Sequence, residues 1–169
     1  MPTRDILVLH PGINSIATPL IASQKFDERA ATMAPDGRYI AYQSDESGRD
    51  EIYIRPFPKT DDGRWQVSRD GGDEPLWGRT GREIFFRSAA GDMMVVPITT
   101  GPSLEVGTPR PLFSAKGYVR TLSYRAYDLT PDDTRFVMLR ALSDTTTTPS
   151  QLVLVDNWMD ELRAKLKTR

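Results

Sequence analysis

A single histidine, no cysteine and two short carboxylate clusters are the side chains that could do chemistry in this chain of 169 residues. His10 precedes Pro11-Gly12. As a general base it needs a nucleophile and an orienting acid, and neither stands beside it, so it reads as a residue flanking a turn. Asp45, Glu46, Asp50 and Glu51 surround Gly48, and carboxylates gathered in one loop can hold Ca²⁺. Their spacing departs from an EF-hand loop and Arg49 interrupts them, which favours a solvated acidic hairpin. In Asp70-Gly71-Gly72-Asp73-Glu74 the glycines suit a tight link and the acids are expected on a rim.

Tyr42, Tyr53, Trp65 and Trp77 could form a stacking platform for sugars or single-stranded nucleic acid, but such platforms come with a basic groove. Here the aromatics alternate with Ile and Val, which suits packing. A kinase glycine loop, His-Arg-Asp, Asp-Phe-Gly and a Gly-x-Ser-x-Gly elbow are all missing from the sequence. No residue is therefore assigned a catalytic, cofactor-binding or metal-ligating role; no cofactor is expected, and the chain is read as a non-enzyme.

Charge does not name a partner either. Twenty-two basic and 23 acidic residues give a net charge of -1, too balanced to draw in nucleic acid or hold an anionic membrane. The absence of cysteine suits a reducing compartment without excluding an oxidising one. The apolar run Ile6-Leu-Val-Leu9 is too short for a signal-peptide core or a membrane span, so no direct membrane insertion is expected. The compartment stays open: cytoplasmic as the chain stands, extracytoplasmic if it belongs to a membrane-anchored parent.

What must position these groups is a repeat. Pro35-Asp36-Gly37-Arg38, Arg79-Thr80-Gly81-Arg82 and Pro131-Asp132-Asp133-Thr134-Arg135 each precede an apolar run, with Arg-to-Arg steps of 44 and 53. Asp-Gly between β-compatible runs marks a hairpin, because Gly accepts φ > 0 and Asp bonds the turn backbone. First strands are expected at 31–34, 75–78 and 127–130, and third strands at 5–9, 51–54, 93–96 and 151–155. Outer strands are expected at 18–22, 64–68 and 110–114, where a proline is tolerated because an edge lacks one ladder neighbour.

Four-stranded units of about 44 residues are propeller blades; a plain antiparallel sandwich is the competing reading. The fold expected is all-β: a partial β-propeller of about three to four blades with a short C-terminal helix. Residues 1–156 form the propeller, as a blade end at 5–23 and blades at 30–69, 73–115 and 125–156. Residues 157–169 form the amphipathic helix and tail, capped by Asp156-Asn157 with Trp158, Met159, Leu162 and Leu166 on one face. A membrane-surface helix is the alternative there, disfavoured by the narrow stripe. Residues 116–125 should cover one end of the domain, and 143–150 should be a surface loop.

Met33-Ala-Pro-Asp-Gly-Arg-Tyr-Ile-Ala-Tyr-Gln-Ser-Asp-Glu-Ser-Gly48, followed by Glu51-Ile-Tyr-Ile-Arg-Pro-Phe-Pro58, resembles the TolB-type, WD-repeat-like propeller blades of bacteria. Gly63–Ser68, Gly72–Trp77 and Gly81–Ser88 resemble the next blade. Thr108–Phe113 and Asp156–Leu162 are similar to the C-terminal tail of bacterial serine/threonine kinases that carry such a propeller. Two departures stand out: Gly78-Arg79-Thr80 replaces the usual Ser-Pro-Asp, and Asp133-Thr134 replaces the turn glycine.

The resemblance implies a protein-interaction or ligand-sensing module, the C-terminal part of a larger signalling protein such as such a kinase. It also leaves open a substrate-gating propeller of a prolyl-oligopeptidase-like hydrolase, or a TolB-like periplasmic scaffold. A protein or small ligand would bind at loops or channel, where first-strand residues such as Ala31, Met33, Leu76 and Tyr127 are expected. Closed rings need about four to eight blades, so the open edges call either for more chain or for a second copy pairing as a homodimer.

Overall fold

In a computed structural model of the chain, the structure describes residues 3–12, 14–101, 103–121, 124–141 and 152–155. Among the described residues, fourteen strands form four antiparallel groups. The first is β1 (Ile6–His10) with β2 (Asn14–Ile21). The second runs in chain order through β3 (Glu28–Met33), β4 (Tyr39–Ser44), β5 (Glu51–Pro56) and β6 (Trp65–Gln66). The third holds β7 (Gly72–Trp77), β8 (Glu83–Ser88) and β9 (Asp92–Thr100), with β10 (Leu104–Val106) and β11 (Arg110–Ser114) both pairing β9. The fourth is β12 (Tyr127–Leu129), β13 (Phe136–Leu139) and β14 (Leu152–Val155). A 3₁₀ turn at Thr60–Asp62 links β5 to β6. The expected helix over 157–168 and the loop over 143–150 lie outside the described residues.

The three hairpin turns superimpose in their bonding. Gly37, Gly81 and Asp133 donate their N–H to the carbonyls of Ala34, Gly78 and Thr130 at 2.9, 2.9 and 3.0 Å. The N–H groups of Ala34, Gly78 and Thr130 reach across to Tyr39, Glu83 and Arg135. Asp133 holds φ 56°, the left-handed conformation that Gly37 and Gly81 adopt at 71° and 69°. Asx residues tolerate that region better than most, so the turn survives without its glycine. This register corrects the sequence alignment by one residue: Thr134, not Arg135, stands where Arg38 and Arg82 stand, and the second step is 52. The arginine that marked the anchor had slipped one place past the turn.

Blades stack face to face, and strand alternation distributes the core among them. On β8, Ile84 and Phe86 point into the junction with the β3–β6 sheet, joining Ala41, Ile52, Ile54, Val96 and Ile98. Phe85, one residue out of phase, points the other way and meets Phe136, Met93, Val95 and Met138. That is why 84–86 is an unbroken apolar run, since a sheet buried on both faces has no polar side to present. Ile21, Ile40, Tyr42 and Tyr53 form the third junction, between β1–β2 and β3–β6, with Ile6 and Leu20 at its margin. Among the described residues no helix is long and apolar enough to cross a membrane.

Phe136 sits at the centre of its junction, fully buried, with the rings of Phe85 and Phe113 each 5.3 Å away and Tyr127 at 6.0 Å. Phe136→Ala should cost about 3–5 kcal/mol in urea unfolding, whereas Leu139→Ala, on the same strand but exposed, should stay within about 0.5 kcal/mol. Equal losses at the two positions would contradict this packing.

Candidate functional site

His10 ends β1 in an exposed position opposite Asn14, with no acid or nucleophile bonded to it among the described residues. The acids around Gly48 disperse among different partners. Asp45 accepts the Asp27 N–H at 2.9 Å, Glu46 binds Arg64, and Asp50 binds Arg29 at 2.5 Å. Among the described residues no three His, Asp or Glu groups converge as metal ligands would. Tyr42, Tyr53 and Trp77 are buried in blade junctions; Trp65, half-buried, meets Tyr39 edge-on at 6.2 Å. Leu76 and Tyr127 are covered by the neighbouring blade rather than lining a channel. Ala31 and Met33 are exposed and border a shallow apolar groove with Ile6, Leu7 and Ile40.

Three acids contradict the solvated reading. Glu51, Asp73 and Glu74 are each 1% exposed. The Glu51 carboxylate accepts the Ser68 hydroxyl and the Gly71 N–H at 2.9 Å, clamping the link that carries the chain from β6 to β7. Glu74 does the same for the following connection. Its Oε1 accepts the N–H groups of Thr121 and Ala126 at 3.0 and 3.3 Å, and its backbone carbonyl accepts the Tyr127 hydroxyl at 2.7 Å. Asp70 alone of its cluster remains exposed.

Beneath this connection lies Arg87, also 1% exposed, with its Nε 3.0 Å from Glu74 Oε2. The contact is ionic and off-line, for neither atom has a hydrogen-bond partner. Arg87 donates through Nη1 to the Tyr118 carbonyl at 3.4 Å, and Arg120 reaches down to Asp73 through Nε at 2.5 Å. Burial nevertheless pushes the Asp73 carboxyl up to about 6, against the pull of Arg120. This network ties two blades and a connecting segment: each charge in it has an opposite charge beside it, while Asp73 Oδ1 and Arg87 Nη2 have no hydrogen-bond partner. Its chemistry is structural.

A second polar site is open. Between the β1–β2 sheet and the β3–β6 sheet lies a pocket of about 410 Å³, lined by Leu20, Ile21, Phe26, Glu28, Glu46 and Arg55, with Thr60 and Asp61 at its edge. Its size falls in the range of small-ligand sites. Glu28, the first residue of β3, is 5% exposed and its Oε2 has no hydrogen-bond partner; Glu46 Oε1 is buried and unpartnered as well. Arg55 is held in place by the Tyr42 hydroxyl at 2.9 Å and the Thr60 carbonyl at 3.3 Å. Burial, then the negative charges of Asp5, Glu46 and Asp45, push the Glu28 carboxyl up to about 7, with Arg55 opposing.

The walls are joined by Arg4, whose guanidinium grips Asp27 in two places at 2.9 and 2.7 Å, and by the Thr60 hydroxyl donating to the Leu20 carbonyl at 3.1 Å. Sequence reasoning passed over Glu28, Arg55 and Thr60. The one available signal was a carboxylate at the very start of an inner strand, where the next repeat has Gly72.

Two measurements follow. Glu74→Ala strands the Arg87 charge in the core and should cost about 3–5 kcal/mol, while Glu74→Leu with Arg87→Met should recover most of that loss; a single variant as stable as wild type would refute the clamp. A carboxyl whose pKa is raised by folding stabilises fully below its unfolded value, and that contribution is lost as pH rises through the folded one. For Glu28 the window is from 4.5 to about 7, and for Asp73 from 3.8 to about 6. Unfolding free energy should therefore fall between pH 6 and 7, and Glu28→Gln should flatten that segment, removing a decline on the order of 1–3 kcal/mol across the full window.

No protein-family model and no curated protein sequence matches this chain. Solved structures do. An oligogalacturonate lyase from Vibrio parahaemolyticus matches at TM-score 0.59 and 12% identity, over 92% of this chain and 45% of its own. TolB from Acinetobacter baumannii matches at TM-score 0.62 and 15% identity, over 90% and 35%. An oligogalacturonate lyase in complex with manganese matches at TM-score 0.55 and 11% identity, over 83% and 37%. The chain thus spans less than half the length of these structures. At such identities the likeness carries the fold and nothing finer: the chain is a partial β-propeller.

Proposed function

We propose that this propeller is a non-catalytic ligand-sensing module, and that it forms the C-terminal part of a larger signalling protein such as a bacterial serine/threonine kinase. The observation that carries the sensing role is the pocket between β1–β2 and β3–β6, where one oxygen of a buried carboxylate, Glu28 Oε2, has no protein hydrogen-bond partner. Native structures satisfy nearly all buried polar atoms, so a charged group left open beside a cavity suits a ligand that completes it. The two sheets that wall the pocket are held by cross-links away from its centre, which is how a rigid scaffold presents a recognition site. The signalling context rests on the likeness of Thr108–Phe113 and Asp156–Leu162 to kinase tails.

A thermal-shift screen of small metabolites, grouped by charge, tests the sensing role with wild type and Glu28→Gln in parallel. At least one group should raise the wild-type Tm by several degrees and leave the variant unmoved. NMR of each stabilising ligand should show it intact after hours with the protein. Turnover of such a ligand, or cleavage of oligogalacturonate in the presence of Mn²⁺, would overturn the non-catalytic reading.

A further inference from the structure

The pocket's composition narrows its ligand. We propose that it binds a small aliphatic amine, with the ammonium group seated between Glu28 and Glu46 and the carbon chain against Leu20, Ile21 and Phe26; this inference rests on the sensing role proposed above. Three acids, Glu28, Glu46 and Asp61, line the cavity with one guanidinium, Arg55, and Glu46 is paired through its Oε2 with Arg64 outside the lining, so the site keeps a net negative charge. Arg55 is already engaged by Tyr42, Thr60 and, at 3.7 Å, Asp61. An anion would meet net repulsion there. A cation would relieve the repulsion between Glu28 and Glu46, which is felt at Glu28 together with that of Asp5 and Asp45.

Both acids hold a buried oxygen with no partner, Glu28 Oε2 and Glu46 Oε1. An ammonium offers three donors from one point, which suits a site where two carboxylates each leave an oxygen unmet, and hydrogen bonds between ionised partners are about twice as strong as neutral ones. A metal ion is a poorer fit, since among the described residues no third His or carboxylate ligand converges with these two. Leu20 and Ile21 on one wall and Phe26 between the walls supply the apolar flank that an alkyl chain buries. A quaternary ammonium has the charge without the donors and would leave the two oxygens unmet.

The test is calorimetric titration of the whole chain with n-butylammonium chloride, against tetramethylammonium chloride and sodium butyrate at equal ionic strength. Butylammonium should bind saturably at one site, tetramethylammonium at least 10-fold more weakly, and butyrate not at all. Glu28→Gln and Glu46→Gln should each weaken butylammonium by 10-fold or more while keeping the cooperative unfolding of wild type. Wild-type affinity should also rise between pH 6 and 8, as Glu28 ionises against Asp5, Asp45, Glu46 and Asp61 with Arg55 opposing. Equal binding of the primary and quaternary cations, or butylammonium binding unmoved by both variants, would overturn the amine assignment. If butylammonium fails while the thermal-shift screen finds another charge group sensitive to Glu28→Gln, the amine is wrong and the sensing role stands. If no group shifts the protein, both fall together.

Discussion

Burying the Glu74–Arg87 pair is the constraint on which the second half of the propeller depends. Two opposite charges 3.0 Å apart, each 1% exposed, cannot be separated without leaving one stranded in an apolar junction. Every group around them is placed accordingly. The Glu74 carboxylate needs donors and takes them from the backbone at Thr121 and Ala126, which draws the connecting segment down over the blade. That segment in turn delivers Arg120 to Asp73 and the Tyr118 carbonyl to Arg87. β12 follows at once, so the same carboxylate fixes where the last blade starts. Glu74 itself sits at φ 54°, matching Ala30 at 51° in the preceding blade, each inside a register shift of its inner strand. A bulge of this kind turns the side chain off the pleat, which is how a strand residue comes to aim at a loop.

Much of this fold was written in local chemistry. Turn residues, the alternation of strands and the recurrence of four strand types announced a partial propeller, because each blade is a short-range structure whose signals lie within about 44 residues. Even the absence of the third turn glycine did not hide the repeat, since Asp133 takes the same left-handed geometry. What local chemistry could not show was destination. Glu51, Asp73 and Glu74 look like surface acids in sequence, and become interior ones because segments 17 to 52 residues away bring donors to them. A carboxylate is polar in either place; its partners decide which.

The open pocket was invisible for a related reason. Its walls come from β2, the start of β3, the loop after β4 and the end of β5, so no contiguous motif spells it. Glu28 and Glu51 show the contrast well. Both are buried carboxylates in the same blade, facing the same strand-end residue Ser44 across the ladder in the register pairs Glu28–Ser44 and Ser44–Glu51. Glu51 is saturated by Ser68, Gly71 and Arg49, while Glu28 Oε2 meets nothing. One acid is consumed in holding the chain together and the other is left available.

Because the pocket is a gap between two sheets rather than a hollow within one, its width is a property of their spacing. That spacing is set elsewhere, by the Arg4–Asp27 clasp, the Thr60–Leu20 bond and the packing of Ile21 on Ile40 and Tyr42. Occupancy and alignment are therefore two readings of one coordinate. A ligand that draws the walls together would tilt the N-terminal sheet, and a pull on the N-terminal sheet would loosen the ligand. The gap lies across the seam between these two sheets, so a change in their spacing is a change in its width.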